Sequence, residues 1–356
     1  MNARFYAFPL LVLPLAPALA GEPDSAKEVI VPKAASPWRI GGGYAQLLGL
    51  KTEFSGLGKF GSPFTPQPPG TGIERDYDNG YVHVDSSGNL GGETWNWSYN
   101  DDTQYNPAGT GSINHSISNS LASGHAEDRG ASEPGVELFA YYAMGPADLS
   151  GLNIHTATWG FRGGLQYSRI NMGNHNSIST RVDTTTDSFD LGGNVPPLAP
   201  YTGSFDGPGP LLADDPTRST GASNPGRVSG KRDLDVDLTL VTFGTYLEIP
   251  VTRDVDLLLE AGGSLGVAHG SYDFNSETTI AGIGTQQSRG NASGTDLLPG
   301  IYFGLGGIYQ ISERFSVIGS ARYQYMDSFN LEANGSKASL SFGSTFMLSL
   351  GGVYSF

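Results

Sequence analysis

The last eighteen residues of the chain, 339–356, alternate strictly between two kinds of side chain. Seven of the nine positions in the phase of the terminal residue are apolar or aromatic: Leu340, Phe342, Phe346, Leu348, Leu350, Tyr354 and Phe356. The residues between them are mostly small or polar, and a period of two places the two sets on opposite faces of a β-strand. Such a strand is about three times the usual globular length. One apolar face and one small-polar face are typical of a strand that crosses a membrane in a β-barrel.

The alternative is a long edge strand of a soluble β-sandwich. A free, flat, apolar edge of this length would promote aggregation, so we favour the membrane strand. After the N-terminal segment discussed below, no stretch gives 18 consecutive apolar residues, and helical membrane spans are not expected.

Seven further segments share the alternation, and they cover residues 38–50, 135–144, 155–170, 233–249, 255–269, 297–310 and 315–326. In the first segment, Trp38, Tyr44 and Leu50 are expected on one lipid-facing side. In the fourth, that side is expected to begin with Leu234, Val236, Leu238 and Leu240. The pattern changes phase after Thr242, which predicts a bulge. The sequence therefore predicts an all-β fold, a closed antiparallel up-and-down transmembrane β-barrel of eight strands. Ten to twelve strands remain an alternative if parts of the first long connection enter the membrane.

The connections between these segments alternate in length. Short turns are predicted at 145–153, 250–254 and 311–313, and long connections at about 51–134, 171–232, 270–296 and 327–338. Outer-membrane barrels show this asymmetry, with short periplasmic turns and longer extracellular loops. The four long connections are therefore predicted to be external loops.

The N-terminal segment resembles a secretory signal. Arg4 precedes an apolar run from Phe5 to Leu15, and Ala18-Leu19-Ala20 provides a small-residue cleavage site. We expect residues 1–20 to be a signal peptide, 21–37 a periplasmic linker, and 38–356 the barrel.

The long alternating strands, the unequal connections and the C-terminal Phe356 together resemble small bacterial outer-membrane barrels of the OmpA and OmpX type. The resemblance covers the architecture of residues 38–356, and no loop motif matches a characterised member. It implies a location in the bacterial outer membrane beside outer-membrane lipid and lipopolysaccharide. It also implies that Phe356 is recognised by the barrel assembly machinery.

The composition limits which classes of partner and ligand the protein can bind. The formal net charge is −15, which makes nucleic acid a poor partner. The chain has no Cys, which excludes disulfides, thiolate catalysis and Cys-ligated metals. Oxygen ligands for calcium are offered by Asp76, Asp78, Asp85, Asp101 and Asp102, but their spacing matches neither an EF-hand nor a nonapeptide repeat. We therefore expect no metal and no cofactor.

Charged residues in the inward phase of the strands predict an ionic network in the lumen, formed by Glu137, Arg162, Asp256, Glu260 and Arg322. Unpaired charges there would be costly to bury, so Arg–carboxylate pairs are expected, with Gln166 and Gln324 between them. The network resembles the interior of OmpA-type barrels, in which Arg–carboxylate pairs fill the lumen. The network represents either neutralised packing or the gate of a narrow ion path.

The first long connection carries a run of aromatic residues, Tyr77, Tyr81, Trp95, Trp97 and Tyr99, with Asp and Asn between them. We expect short strands here that extend the barrel wall above the membrane. The aromatic side chains are candidates for a glycan-binding surface, because sugar faces stack on aromatic rings. The alternative is that they form the small core of the loop itself.

A hydrolase is the third possibility considered. Some eight-stranded barrels that remove acyl chains from lipid A have a His-x-Ser pair at the outer rim, and His269, Ser271 and Glu277 resemble such a group. The Asn that follows the Ser in that family is replaced here by Tyr272. We expect no enzyme. The predicted function is surface recognition, adhesion or envelope structure on external loops, with a narrow porin-like channel or a lipid A-modifying hydrolase as alternatives.

Overall fold

The structure, a computed structural model, describes residues 37–149, 151, 154–222, 226–281 and 283–356. The predicted signal peptide and all but the last residue of the predicted linker lie outside the described residues. Within the described ranges, no helix is long and apolar enough to cross a membrane.

Eight long antiparallel strands dominate the chain. They are β1 (Trp38–Leu57), β2 (Gly124–Leu149), β3 (Ile154–Asn174), β4 (Gly226–Pro250), β5 (Val255–Ile280), β6 (Gly284–Gln310), β7 (Phe315–Ala333) and β8 (Ser336–Ser355). Each strand pairs with its neighbours in sequence, and β1 pairs with β8 from Arg39↔Ser355 to Ser55↔Lys337. This last pairing closes the ring of eight strands. The ladder between β6 and β7 runs only from Gly300↔Met326 to Gln310↔Ser316, so the ring is fully hydrogen-bonded in its lower part and opens between these two strands above it. The predicted eight-stranded up-and-down barrel is confirmed.

Several strands continue well beyond their predicted ends. The predicted loops 270–296 and 327–338 are wrong, because β5 and β6 pair as far as Ile280↔Gly284, and β7 and β8 as far as Ala333↔Ser336. The second hairpin closes on Asn334 and Gly335, whose φ angles are 47° and 81°. Positive φ at both central residues is what a type I′ hairpin turn requires. The predicted turn 145–153 is also shorter, because Gly145–Leu149 belongs to β2.

Partway along each strand, the apolar side chains change from the outer face of the barrel to the inner face. On β4, Phe243 points outward and is 64% exposed, whereas Leu238, closer to the external end, points inward and is 1% exposed. The face from Leu234 to Leu240, predicted to meet lipid, therefore lines the interior. The predicted bulge after Thr242 is absent, because β4 pairs with β3 and β5 without a register shift. The change of phase lies in the sequence itself.

Four adjacent strands achieve the same inversion with β-bulges. Register shifts occur on β1 after Leu48, on β2 near Gly130, on β7 after Gln324 and on β8 between Phe342 and Phe346. An unbroken alternation in the sequence is thereby divided between two faces. Leu50, Leu340 and Phe342, predicted to face lipid, are buried inside the barrel, whereas Leu348 and Leu350 remain outside.

The inversion marks the membrane surface. On β5, the outward side chains are apolar from Leu257 to Val267 and polar from His269 to Glu277. About ten tilted strand residues cross a bilayer core, so the remaining part of β5 stands above it in water. There the interior is filled by one apolar core drawn from all eight strands, including Phe54, Tyr272 and Leu340.

The two remaining long loops, about 58–123 and 175–225, fold together into what we call the loop domain. One sheet contains Tyr105–Asn106, Ser112–Ser120, Val182–Asp190 and Thr217–Ala222; another contains Arg75–Tyr77, Gly80–Val82, Trp97–Tyr99 and Tyr201–Thr202; Glu93–Thr94 pairs with Leu212–Ala213. These sheets combine strands from both loops. The expectation that strands of the first loop extend the barrel wall is therefore wrong, and they add no strand to the ring.

The position of the membrane surface can be tested by cysteine labelling, because the chain has no native Cys. Asp273→Cys and Leu265→Cys both place a thiol on the outer face of β5. We expect a membrane-impermeant maleimide added to intact cells to label Asp273→Cys, which lies in water, and to leave Leu265→Cys unlabelled, because lipid covers it. Ala268→Cys, which points inward, is the control for burial and should react only after denaturation. Equal labelling at 265 and 273 would contradict the assigned boundary.

Candidate functional site

Four of the five predicted lumen charges form one compact group, which we call the charge quartet: Glu137, Arg162, Glu260 and Arg322. All four are at most 5% exposed. Glu137 pairs with both Arg162 and Arg322. Glu260 lies 3.1 Å from Arg162 Nε and 3.6 Å from Arg322 Nε. Each cation thus contacts both anions, and the group is electrically neutral.

Neighbouring side chains hold the quartet in place. The Tyr141 hydroxyl donates to Glu260 at 2.7 Å, and Arg162 Nη1 donates to the Thr242 hydroxyl at 3.2 Å. These groups come from strands β2, β3, β4 and β5, so they link much of the barrel circumference at one level. A buried ion pair needs such additional hydrogen bonds to offset its desolvation.

The fifth predicted charge, Asp256, does not join the quartet, and no ion pair to it is found in the described part of the chain. A separate pair, Arg39 with Glu248, lies near the periplasmic end of the lumen. Arg39 also lies over the rings of Tyr141 and Tyr246, at 5.3 and 5.7 Å from their centroids. Both charged residues occupy the inward phase of their strands, which is the signal that could have identified them.

The lumen above the quartet is filled by apolar side chains. The rings of Phe54 on β1 and Tyr272 on β5, strands on different sides of the ring, lie 5.8 Å apart. An open aqueous channel would expose the inward side chains to water, yet those of the quartet and of the core above it are almost fully buried. The described barrel therefore has no open aqueous path through these two levels.

The predicted rim group is not assembled. His269 and Ser271 point outward just above the lipid-facing band, but His269 Nδ1 lies 2.8 Å from the Thr295 hydroxyl on β6. Glu277 is eight residues beyond His269 on the same strand, which corresponds to about 25 Å. It cannot orient the imidazole at that distance. The geometry required for a Ser–His–Glu hydrolase is absent at this position.

Three of the five predicted loop aromatics are buried. Tyr77, Trp97 and Tyr99 are at most 4% exposed. They belong to the core of the loop domain, which also contains Val82, Ile113, Ile117, Phe189, Leu191 and Leu212. A sugar cannot stack on buried rings, so this burial contradicts their assignment to an exposed ligand surface and agrees with the alternative of a loop core.

Asp187 is the centre of the polar contacts in this core. Arg218 donates to its two carboxylate oxygens from Nε and Nη2, both at 2.7 Å, and the Tyr77 hydroxyl donates at 2.6 Å. Burial, together with this hydrogen bond to an anion, raises the pKa of Tyr77. The His115 ring stacks on Tyr77 with a centroid distance of 4.9 Å. Burial lowers the pKa of His115 to about 3.

The other two loop aromatics are half-buried. The Tyr81 ring stacks on His83 with centroids 4.3 Å apart and planes at 24°. His83 Nε2 lies 2.9 Å from a carboxylate oxygen of Asp76, whose side chain is 54% exposed. We call Asp76, Tyr81 and His83 the aromatic–acid patch. Trp95 donates from its indole nitrogen to the Phe205 carbonyl at 3.2 Å.

The loop carboxylates considered for calcium have structural partners. Asp85 accepts from the backbone N–H groups of Ser87 and Trp95, and Asp101 caps the short 3-10 turn Asp102–Gln104. Asp78 accepts from the Ser118 N–H at 2.7 Å. Within the described residues, no group of three acidic or His side chains is arranged to hold a metal ion.

A backbone inside a bilayer must satisfy its hydrogen bonds internally, which only helices and closed barrels achieve. This chain does so with a closed ring of eight strands that carries an apolar outer band, and it is an outer-membrane β-barrel protein. Phe356 follows the last strand and is 66% exposed, with its ring 5.3 Å from that of Tyr354. Recognition of Phe356 by the assembly machinery stays a prediction.

Comparison with known proteins gives alignments to solved structures but no matching family. No family model matches the chain, and no curated protein matches it. Ail, the attachment invasion locus protein of Yersinia pestis, aligns at 12% identity and a TM-score of 0.27 over 90% of this chain and 99% of its own. The outer membrane protease OmpT of Escherichia coli aligns at 10% identity and 0.31, over 92% and 100%. The outer membrane protein OprG of Pseudomonas aeruginosa aligns at 10% and 0.29, over 92% and 99%. At these identities and TM-scores, no residue role carries over to this chain.

Stability of the barrel should depend on the quartet. Glu137→Gln leaves two buried guanidinium groups short of one anion, and we expect it to lower the free energy of unfolding by about 3–5 kcal/mol. Urea unfolding of the refolded protein in micelles, followed by tryptophan fluorescence, measures this. Asp256→Asn, outside the quartet, is the matched control and should change stability much less. Equal effects of the two variants would show that the quartet has no special role.

Stability of the loop domain should fall in mild acid. Below pH 6.5 the unfolded chain protonates His115, whereas the folded domain keeps it neutral down to pH about 3. The free energy of unfolding should therefore decrease from pH 6.5 downward, by at most about 1.4 kcal/mol per pH unit, and should show no such dependence above pH 6.5.

His115→Phe keeps a ring against Tyr77 but cannot titrate, so this variant should lose less stability between pH 6.5 and 5. Urea unfolding in a Trp38→Phe/Trp159→Phe background reports the loop domain alone, because Trp95 and Trp97 are the remaining tryptophans. Identical pH profiles for the wild type and His115→Phe would contradict the assigned burial of a neutral imidazole.

Proposed function

We propose that this protein is a surface-recognition protein of the outer membrane, and that its loop domain binds an extracellular glycan or protein. The observation that carries the proposal is the folding of two long loops into one domain with its own core, on top of a barrel whose lumen is filled. Loops placed on a rigid scaffold commonly carry binding function. A filled lumen leaves ligand binding to the water-exposed surfaces, and the outer surface of the loop domain is one of them.

The aromatic–acid patch is the part of that surface whose chemistry suits a ligand best. Tyr81 and His83 provide stacked rings, and Asp76 provides an exposed carboxylate beside them. Aromatic faces with adjacent hydrogen-bonding groups are common features of binding sites. Two further hydrogen bonds limit the movement of the patch. The Tyr81 hydroxyl donates to the Gly203 carbonyl at 2.9 Å, and the backbone N–H of His83 donates to the Asn96 carbonyl at 2.9 Å.

Whole-cell binding tests the proposal. Cells displaying the protein are exposed to a panel of immobilised polysaccharides and extracellular-matrix glycoproteins, beside cells whose protein has residues 59–122 and 179–221 replaced by short Gly/Ser linkers. We expect binding to at least one member of the panel by the intact protein and none by the shortened barrel. Heat-dependent mobility on gels verifies that both barrels are folded.

The patch is tested in the same assay. Tyr81→Ala/His83→Ala should weaken binding about tenfold or more, because aromatic anchors in binding sites contribute about 2 kcal/mol each. Phe64→Ala, which removes an exposed aromatic ring elsewhere in the first loop, should bind normally. Absence of binding by the intact protein, or equal binding by the shortened barrel, would contradict the proposal. Stable large-conductance steps in planar bilayers would favour the channel alternative.

A further inference from the structure

Arg232 is a fully buried cation without an anion. It points inward from β4 in the part of the barrel above the membrane, with 0% of its surface exposed. Among the described residues, no carboxylate forms an ion pair with it, although the other buried lumen arginines, Arg39, Arg162 and Arg322, all have one. A buried charge without a counter-ion is strongly unfavourable, so we expect an anion to bind Arg232 in the folded protein.

One edge of the Arg232 guanidinium is held and the other is free. Nη1 donates to the Asn176 carbonyl at 3.1 Å and to the Asn174 side chain at 3.3 Å. Nε and Nη2 are buried and have no acceptor within the described residues. These two nitrogens form the parallel pair of donors that binds a carboxylate or phosphate in bidentate fashion.

Two other arginines of the chain show which groups occupy the guanidinium donors when the side chain is buried or half-buried. Arg218 uses Nε and Nη2 to hold both oxygens of Asp187 at 2.7 Å. Arg75, which is also buried without an ion pair, places its two Nη atoms against four backbone carbonyls. Within the described part of the chain, Arg232 is the one buried arginine whose Nε–Nη2 edge is entirely unoccupied.

The barrel wall is interrupted beside Arg232. Strand β3 pairs with β4 up to Asn174↔Arg232, and pairing resumes only at Ile178↔Val228. Residues 175–177 lie between these two points, and His175 and Asn176 are exposed. The Asn176 carbonyl that accepts from Arg232 therefore belongs to a surface segment, so the guanidinium lies directly behind the wall interruption.

We propose that Arg232 is an oxyanion-binding site, in which the Nε–Nη2 edge takes two oxygens of a small phosphate-like or carboxylate-like anion that enters at the wall interruption. The proposal does not depend on the function assigned to the loop domain. The bound anion neutralises the buried cation and supplies its missing acceptors, so binding stabilises the folded barrel.

Ligand-dependent stability tests the site on the full-length protein, refolded in micelles. Urea midpoints are measured against inorganic phosphate, with ionic strength held constant by sodium chloride. We expect the midpoint to rise with phosphate concentration and to saturate, because a ligand that binds only the folded state stabilises it by mass action. Acetate replaces phosphate in a second series, which distinguishes a carboxylate-like ligand from a phosphate-like one. A response to neither anion would overturn the proposal.

Matched variants locate the effect. Arg232→Lys keeps the charge but removes the two-donor edge, and we expect it to weaken phosphate binding about tenfold or more. Arg232→Gln should abolish the response. Arg169→Gln, an exposed arginine on the outer face of β3, should respond like the wild type. An unchanged phosphate response in both Arg232 variants would assign the anion to another site.

A spectroscopic readout covers the case in which the Arg232 variants fail to refold. The Nε–H signal of Arg232 in a 15N-labelled wild-type sample should shift and exchange more slowly with water when phosphate is added. The Arg218 signal is an internal control, because its edge is already occupied by Asp187. An Arg232 signal that does not respond to phosphate would refute the site.

Discussion

The structure depends on one requirement: every apolar face of a strand must be covered, and this barrel meets two different solvents. In the membrane, lipid covers the outside, so Phe243 and Leu350 point outward. Above the membrane, water surrounds the wall, so Leu238 and Leu340 point inward and cover one another. A single ring of strands satisfies both conditions because its apolar side inverts at the membrane surface.

The same requirement explains why the lumen is filled in two ways. Within the membrane the outward phase must be apolar, which leaves small and polar residues for the interior, and charges there must be neutralised in place. Glu137 and Glu260 with Arg162 and Arg322 form such a neutral group. Above the membrane the interior holds the apolar core itself. Both levels are filled, and the accessible chemistry lies at the outer surface and at the interruption between β3 and β4 beside Arg232.

The loop domain shows how distant segments become one unit. Ser112–Ser120 from the first loop pairs with Val182–Asp190 from the second, and Asp187 connects them to Tyr77 and Arg218. Trp97 packs against the ring of Tyr201, and Tyr99 pairs with Tyr201 in the sheet, so the contacts that bury these two aromatic residues join segments about a hundred residues apart in the chain. A folded platform of this kind keeps exposed groups such as Tyr81 and His83 in fixed positions above the membrane.

The sequence by itself determined the class of fold, the number and order of the strands and the inward position of the charge quartet, because a period of two specifies faces wherever the phase is unbroken. It also contained the Asn334–Gly335 turn, a strong hairpin signal that shows why 327–338 is not a loop. Only the tertiary structure decided which solvent each apolar face meets, because a bulge near Leu48 or Gly130 moves an unchanged alternation to the opposite face. It also decided the pairing of the two loops and the isolation of Arg232, because both depend on contacts between residues far apart in the chain.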